Sequence, residues 1–260
     1  DATFNAADVF NLDLSKAGVL AAGTITAAGV ETVNITSADA VAAGSAANVN
    51  TMTLTAADAT SITVSGNNGI DLSSSAAAKV TSFDASGVVG NGAADTAANL
   101  AVSYTSDNNT ASASVSITGG AGNDVLIGNA AKDTIVGGAG NDQITGGAGI
   151  DTLTGGAGRD TFKFAAGDAG ITGAEKITDF ALGLNGDTID LAATGIVANQ
   201  TATNVTAQIS GAVDVTATVK DGILTIGGAD AALVDSLGEF KSVFESVDGV
   251  GADSAAFVFG

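Results

Sequence analysis

The stretch GGAGNDVLI, Gly119–Ile127, returns downstream as GGAGNDQIT (Gly137–Thr145), GGAGIDTLT (Gly146–Thr154) and GGAGRDTFK (Gly155–Lys163). A worn copy, GNAAKDTIV (Gly128–Val136), sits between the first and second of these. Five consecutive nonamers thus repeat small residues, an aspartate and a lone apolar residue. Repetition at a fixed period marks a coil of short rungs, each burying its apolar face by stacking on its neighbours. Positions one to six read as a turn, and positions seven to nine as a short strand. Glycine at positions one, two and four permits positive φ and close approach of neighbouring backbone. Position eight is the one side chain of each copy expected to point inward: Leu126, Ile135, Ile144, Leu153 and Phe162.

One buried apolar side chain for nine ordered residues makes a thin core, so something else must hold the block together. Position six is aspartate in every copy, the worn one included: Asp124, Asp133, Asp142, Asp151 and Asp160. If two nonamers complete one coil, the turns alternate between two edges. Asp124 then stacks with Asp142, Asp142 with Asp160, and Asp133 with Asp151. Carboxylates stacked at a strand spacing of about 4.8 Å repel one another without a counterion. Ca²⁺ takes about six to eight oxygen ligands in flexible geometry, which paired aspartates and turn carbonyls can supply, whereas Mg²⁺ demands a stricter octahedron. Several Ca²⁺ ions are therefore expected between stacked turns. Beside the five aspartates, the candidate metal-holding residues are Gly120, Gly122, Asn123, Gly138, Gly140, Asn141, Gly147, Gly149, Gly156 and Gly158. The worn copy has Asn129 and Ala131 in place of glycine at positions two and four, which weakens the expectation for Asp133 with Asp151. Lys132 and Arg159 place positive charge at position five.

Composition points the same way. The chain has 260 residues, 28 acidic and 8 basic, and a net charge of −20. Only Glu31, Glu175, Glu239 and Glu245 among the acids are glutamate, a bias towards the short carboxylate that suits tight loops and oxygen-ligated cations. No basic patch exists to neutralise phosphates, so nucleic acid is not an expected partner. Mean hydropathy is positive, yet polar and small residues interrupt every long apolar window, so no membrane insertion is expected. Absence of Cys and His excludes disulfides, thiolate sites and Ser-His-Asp chemistry. No catalytic constellation emerges, and a scaffold rather than an enzyme is expected. The repeated aspartates are too evenly spaced for the one asymmetric pocket of a glycosidase. A flexible linker would not keep strict phase over five copies, and no G-K-[ST] follows the glycines to make a phosphate loop. Asp1 is not an initiator Met, and no basic–apolar signal opens the chain, so it reads as a piece of a longer polypeptide.

Outside the nonamers, residues 1–118 carry short β-prone pulses: VETVNIT (Val30–Thr36), TMTLT (Thr51–Thr55), SITVS (Ser61–Ser65), GIDLS (Gly69–Ser73) and KVTSF (Lys79–Phe83). Their close spacing leaves no room for crossover helices, and the beat continues through Leu100–Ser103 and Val115–Thr118. They read as rungs of a coil of parallel strands. Asp58, Asp71, Asp84 and Asp95 read as turn residues. After the regular block (119–163), residues 164–260 read as a capping β region. KITDFALGLNGDTIDL (Lys176–Leu191) suggests two strands around a Gly–Asn turn, and residues 201–227 an antiparallel pair joined at Asp221–Gly222. Ala232–Val247 carries Leu233, Leu237, Phe240, Phe244 and Val247 at helical steps, and SAAFVFG reads as a strand. The expected fold class is all-β: a right-handed parallel β-solenoid followed by a small capping region with one helix.

The nonamers resemble the calcium-binding RTX repeat, G-G-x-G-x-D-x-U-x, whose copies build a parallel β-roll. DTFKF (Asp160–Phe164) and Lys176–Leu191 look like the strands that cap such rolls in type I-secreted proteins. That likeness makes Asp179, Asp187 and Asp190 candidate ligands or turn-formers. The rung-like N-terminal half and the late helix resemble the C-terminal part of RTX-containing bacterial surface-layer proteins of the Caulobacter type. The resemblance implies a secreted, cell-surface structural protein that assembles with copies of itself, with cell-surface polysaccharide as a further partner through the rest of the chain. A C-terminal secretion and folding module of a type I-secreted protease or lipase, or of an adhesin, is the alternative it implies.

Overall fold

Period-two alternation puts every second side chain on one face of a strand, and in the computed structural model those faces close on one interior. The structure describes residues 8–16, 18–39, 48–91, 95–108, 113–165, 175–181, 186–193, 200–203, 216–220, 223–227 and 257–259. One sheet runs, in order, through β1 (Val9–Asp13), β3 (Thr32–Thr36), β5 (Ser61–Gly66), β7 (Ser82–Val88), β9 (Ser116–Thr118), β11 (Thr134–Ala139), β13 (Thr152–Ala157), β15 (Glu175–Ile177) and β20 (Phe257–Phe259). The other runs through β2 (Ala21–Thr26), β4 (Val49–Thr55), β6 (Gly69–Leu72), β8 (Val102–Thr105), β10 (Val125–Ile127), β12 (Gln143–Thr145), β14 (Thr161–Ala165) and β16 (Thr188–Ala193). It ends with β19 (Ile223–Gly227), β18 (Thr216–Lys220) and β17 (Gln200–Thr203). Up to β15 the strands alternate between the sheets, so the chain coils, and every neighbour pair is parallel until β16 meets β19 antiparallel.

The coil carries the expected rungs and two more, β1 and β2, which the sequence reading did not anticipate. Because β9 pairs with β7 on one side and β11 on the other, the rungs and the nonamers share the same sheets without a break. The arrangement is all-β with two stacked parallel sheets, consistent with a β-roll. In the nonamers β10 and β12 occupy positions seven to nine, while β11 and β13 extend into the following turn. All five position-eight residues are fully buried, and Leu126, Ile144 and Phe162 fall in one register column, Ile135 and Leu153 in the other.

The core is not uniform. Strands β3 to β8 bury two or more apolar side chains each, such as Val33 with Ile35, Met52 with Leu54, and Ile62 with Val64. Phe83 and Tyr104 stack face to face with ring centroids 3.9 Å apart, joining the two sheets across the interior. In β9 to β13 each strand buries one. The thin core inferred for the nonamers therefore does not extend to the N-terminal rungs.

Past the nonamers, Lys176–Leu191 differs from the hairpin-like reading. Its two strands, β15 and β16, lie in opposite sheets, because Ile177 registers on Leu153 and Ile189 on Phe162, which continues the coil. The antiparallel pair β18–β19 does join across Lys220 and Ile223, as expected, and β20 adds in parallel to β15. The helix expected at 232–247 lies outside the described residues.

Candidate metal centre

Each nonamer turn ends on an aspartate whose side chain reaches the neighbouring turn. On one edge, Asp142 Oδ1 accepts the Asp124 N–H at 2.7 Å and Asp160 Oδ1 accepts the Asp142 N–H at 2.9 Å. On the other, Asp151 Oδ1 accepts the Asp133 N–H at 2.7 Å. The step is 18 residues, the stacking order expected if two nonamers make one coil. At the head of each column the donor is a residue outside the repeats: Val102 N–H to Asp124 at 2.8 Å and Val115 N–H to Asp133 at 2.7 Å. The second oxygens of Asp124 and Asp133 accept N–H groups of their own turns, from Gly120 and Asn129, both at 2.7 Å.

All five carboxylates are buried, with exposures of 1% or less. Burying a charge is costly unless it is paired. Burial is the main cause that lifts the Asp142 carboxyl to about 7; the Asp124 N–H opposes the shift, and the charges of Asp124 and Asp160 add to it. Burial likewise lifts Asp124 to about 6, against hydrogen bonds from Gly120 and Val102. Asp133, Asp160 and Asp187 are pushed up for the same first reason. Two oxygens, Asp142 Oδ2 and Asp160 Oδ2, are buried and accept no hydrogen bond. Buried anionic oxygens left without a donor need a cation.

The remaining groups at these turns are oxygens too. A Cβ at Gly138 would overlap Gly120 O, and one at Gly140 would overlap Gly122 O; the pairs Gly156 with Gly138 O, Gly158 with Gly140 O, and Gly147 with Asn129 O repeat the pattern. Carbonyls of one turn thus lie against the glycines of the next. A donor set of carboxylates and carbonyls, without nitrogen or sulfur, suits a hard cation such as Ca²⁺. The residues that would hold it are the stacked aspartates and these turn carbonyls. The charge it supplies would neutralise the carboxylate columns.

Glycine at position one serves a purpose the sequence reading missed. At Gly119, Gly137, Gly146 and Gly155 a Cβ would collide with Oδ2 of the aspartate five residues on, and a Cβ at Gly128 would come within 2.5 Å of Asp133 Oδ2. The available signal was its presence in all five copies, the worn one included. We expect Gly137→Ala to lower the stability of the calcium-loaded chain by about 2–3 kcal/mol, through overpacking against Asp142 Oδ2 and Gly155 O. Chemical denaturation in calcium measures this, and an unchanged midpoint would contradict the placement of the carboxylate.

The worn copy keeps the aspartate stacking despite its missing glycines. Gly138, Gly140, Gly147, Gly149, Gly156 and Gly158 have φ between 96° and 140°, but Gly120 and Gly122 do not adopt that region. The first turn on the Asp124 edge therefore makes no left-handed demand at positions two and four, and the worn copy is the first nonamer turn of the other edge. Asn129 also closes it, with Oδ1 accepting the Ala131 N–H at 2.6 Å and Nδ2 donating to Ala113 O at 3.0 Å. Asp133 still stacks on Asp151.

Asn123 and Asn141 act between turns. Asn123 Oδ1 accepts the Asn141 N–H at 2.7 Å, and Asn141 Oδ1 accepts the Arg159 N–H at 2.8 Å. The Arg159 guanidinium donates to Thr188 Oγ1 at 3.3 Å. Asp187 joins the aspartate column, its Oδ1 accepting the Asp160 N–H at 2.9 Å and its Oδ2 the Ala181 N–H at 2.8 Å. Asp179 accepts the Gly155 and Gly156 N–H groups at 2.9 and 2.8 Å, so both residues meet the last nonamer turn. Asp190 instead registers opposite Lys163 within the sheet. Asp71 and Asp84 accept N–H groups two residues on, Asp95 accepts the Asn91 N–H, and Asp58 pairs with Lys79 at 2.7 Å, all away from the nonamer turns.

Comparison with known proteins agrees with this geometry. The family model of the RTX calcium-binding nonapeptide repeat, four copies long, matches residues 116–144 and 137–169. No curated protein matches the chain. The block is a calcium-binding structural region, and its ions are Ca²⁺.

Proposed function

We propose that this chain is the calcium-dependent assembly region of a secreted bacterial surface-layer protein. The observation that carries the reading is continuity: the calcium-binding turns are built into the same two sheets as the N-terminal rungs, making one long solenoid. Solenoids offer extended, repeated surfaces suited to lattice contacts. A net charge of −20 opposes close packing of copies, and bound calcium reduces that repulsion. The protein is a scaffold and not an enzyme. Its partners are copies of itself, with cell-surface polysaccharide reached through the rest of the polypeptide. Extracellular-type calcium sites have Kd of about 10⁻⁴–10⁻³ M, so the roll stays unordered in the cytosol and gains the binding free energy as folding free energy once exported.

A second reading, the secretion and folding module of a hydrolase or an adhesin, draws on the antiparallel strands β16, β19, β18 and β17 that close one sheet after the roll. Purified chain in millimolar Ca²⁺, imaged by electron microscopy, separates the two. Ordered sheets or arrays that dissolve on chelation are expected. Persistently monomeric particles at every calcium concentration would overturn the assembly reading.

A further inference from the structure

The column of residues that holds Asp124, Asp142 and Asp160 does not start with them. Register carries it back through Val102 and Ile70 to Asn50. Asn50 does what the aspartates do. Its Oδ1 accepts the main-chain N–H of the preceding rung, from Leu20 at 2.9 Å, as Asp142 accepts that of Asp124. Its remaining group is satisfied within the protein, because Nδ2 donates to Ser37 Oγ at 3.1 Å and Ser37 Oγ donates to Gly69 O at 3.0 Å. The column thus reads amide, apolar, apolar, and only then carboxylate.

The opposite edge repeats the sequence of events. Its column passes from Thr60 and Thr81 to Val115 and then to Asp133 and Asp151. Thr60 Oγ1 donates to Glu31 O at 3.3 Å and Thr81 Oγ1 to Thr60 O at 3.4 Å, neutral bonds made at exposed positions. Ala56, Ala59, Ala77 and Val80 fill the turns beside them. On the second edge Glu31 also precedes Thr60, its carboxylate not buried and accepting the Asp8 N–H at 3.1 Å; buried carboxylates begin on both edges at the same level, directly after a buried valine. The core thins at that level as well, from two apolar side chains per strand to one.

We infer that the solenoid is divided at this seam into a calcium-independent stack, β3 to β8, and a calcium-dependent one, β10 to β14, with Val102 and Val115 presenting the main-chain donors on which the first carboxylates settle. The inference rests on the calcium reading of the roll and adds where the dependence begins. The buried polar residues of the N-terminal stack are neutral, although Asn68 Nδ2 and Tyr104 Oη make no hydrogen bond, and its core is thicker, so it stays ordered when the metal is withdrawn. The nonamers do not, because removing the cation leaves buried carboxylates side by side.

Hydrogen exchange on the full 260-residue chain tests this, with calcium and with a chelator at about pH 7.5. At a calcium concentration about 100 times Kd, a single site slows exchange through opening by about 100-fold. Protection of residues 52–105 is expected to stay the same in both conditions, while residues 125–163 lose at least that 100-fold protection in chelator. Loss of protection across both stretches would overturn the division and leave the calcium reading standing. Retained protection across both would overturn the two together. The Asn50→Asp variant adds a second readout: exchange in β2 and β4 should rise in chelator, and indifference to that charge would remove the neutral column as the cause.

Discussion

Asp142→Ala should abolish calcium-induced ordering of the roll more completely than Asp124→Ala. Asp142 is the middle one of the three nonamer aspartates on its edge, accepting the N–H of Asp124 and donating its own N–H to Asp160. It therefore belongs to the two gaps between the three nonamer turns of that edge, whereas Asp124 borders one of them. Each calcium site is worth about 2.7 kcal/mol at a concentration 100 times Kd. Losing two sites and stranding a buried N–H should cost about 6–8 kcal/mol in calcium. Asp124→Ala, with one such site, should cost about half as much. Asp142→Asn gives the complementary outcome. It keeps the Oδ1 acceptor and removes the buried charge, so it should be at least as stable as the parent in chelator while losing most of the calcium response. Denaturant midpoints in calcium and in chelator measure all three variants. Equal losses for Asp124→Ala and Asp142→Ala would mean the turns do not share ions in this order.

Acidification should act in opposite directions on the two forms of the protein. Burial raises the carboxyls of Asp124 and Asp142 to about 6 and about 7, above their ordinary value of 3.8. Without metal, the folded chain holds these protons more tightly than the unfolded chain does. Their presence favours the folded state at about pH 4 and below, and that advantage disappears as pH rises from about 4 to about 7. With calcium the sign reverses, because protons compete with the ion for the same oxygens. For a site limited by one such carboxyl, the calcium needed for half-ordering should rise about tenfold for each unit below its pKa. Circular dichroism during calcium titration at about pH 5, 6 and 7.5, paired with melts in chelator, reads both arms. A calcium midpoint that ignores pH would show that the buried carboxyls do not titrate in the binding equilibrium.

The nonamers were legible because three constraints share one phase. A glycine, an aspartate and an apolar residue recurring every nine positions fix the turn, the column and the core together, and the 18-residue stacking follows from counting. Elsewhere the signal is local and the outcome is not. VFNLD and AAGTIT, β1 and β2, bury no side chain fully, so the apolar face that marks the later rungs is only half-formed in them. Around Lys176–Leu191 the Gly–Asn signal suggested strands turning back on each other. Ile177 and Ile189 gain more by stacking on Leu153 and Phe162, residues no local rule connects to them. The same holds for Asn50, an ordinary polar residue in sequence whose importance appears only when register lines it up with the aspartates, and for its partner Ser37. Position-one glycine was visible, and the close approach of neighbouring backbone holds at Gly119, Gly128 and Gly137, but the side-chain oxygen of its own turn, which crowds it as well, leaves no local signal.

Alternation of consecutive strands between two sheets sets a rule of parity on the length of this chain. Inserting or deleting eighteen residues adds or removes one whole circuit and returns every later segment to its original wall. Nine residues would send each later segment to the opposite wall, leaving the strands after the roll to meet the wrong neighbours. Repeat number can therefore drift by twos at little cost, and by ones only with a rebuilt ending.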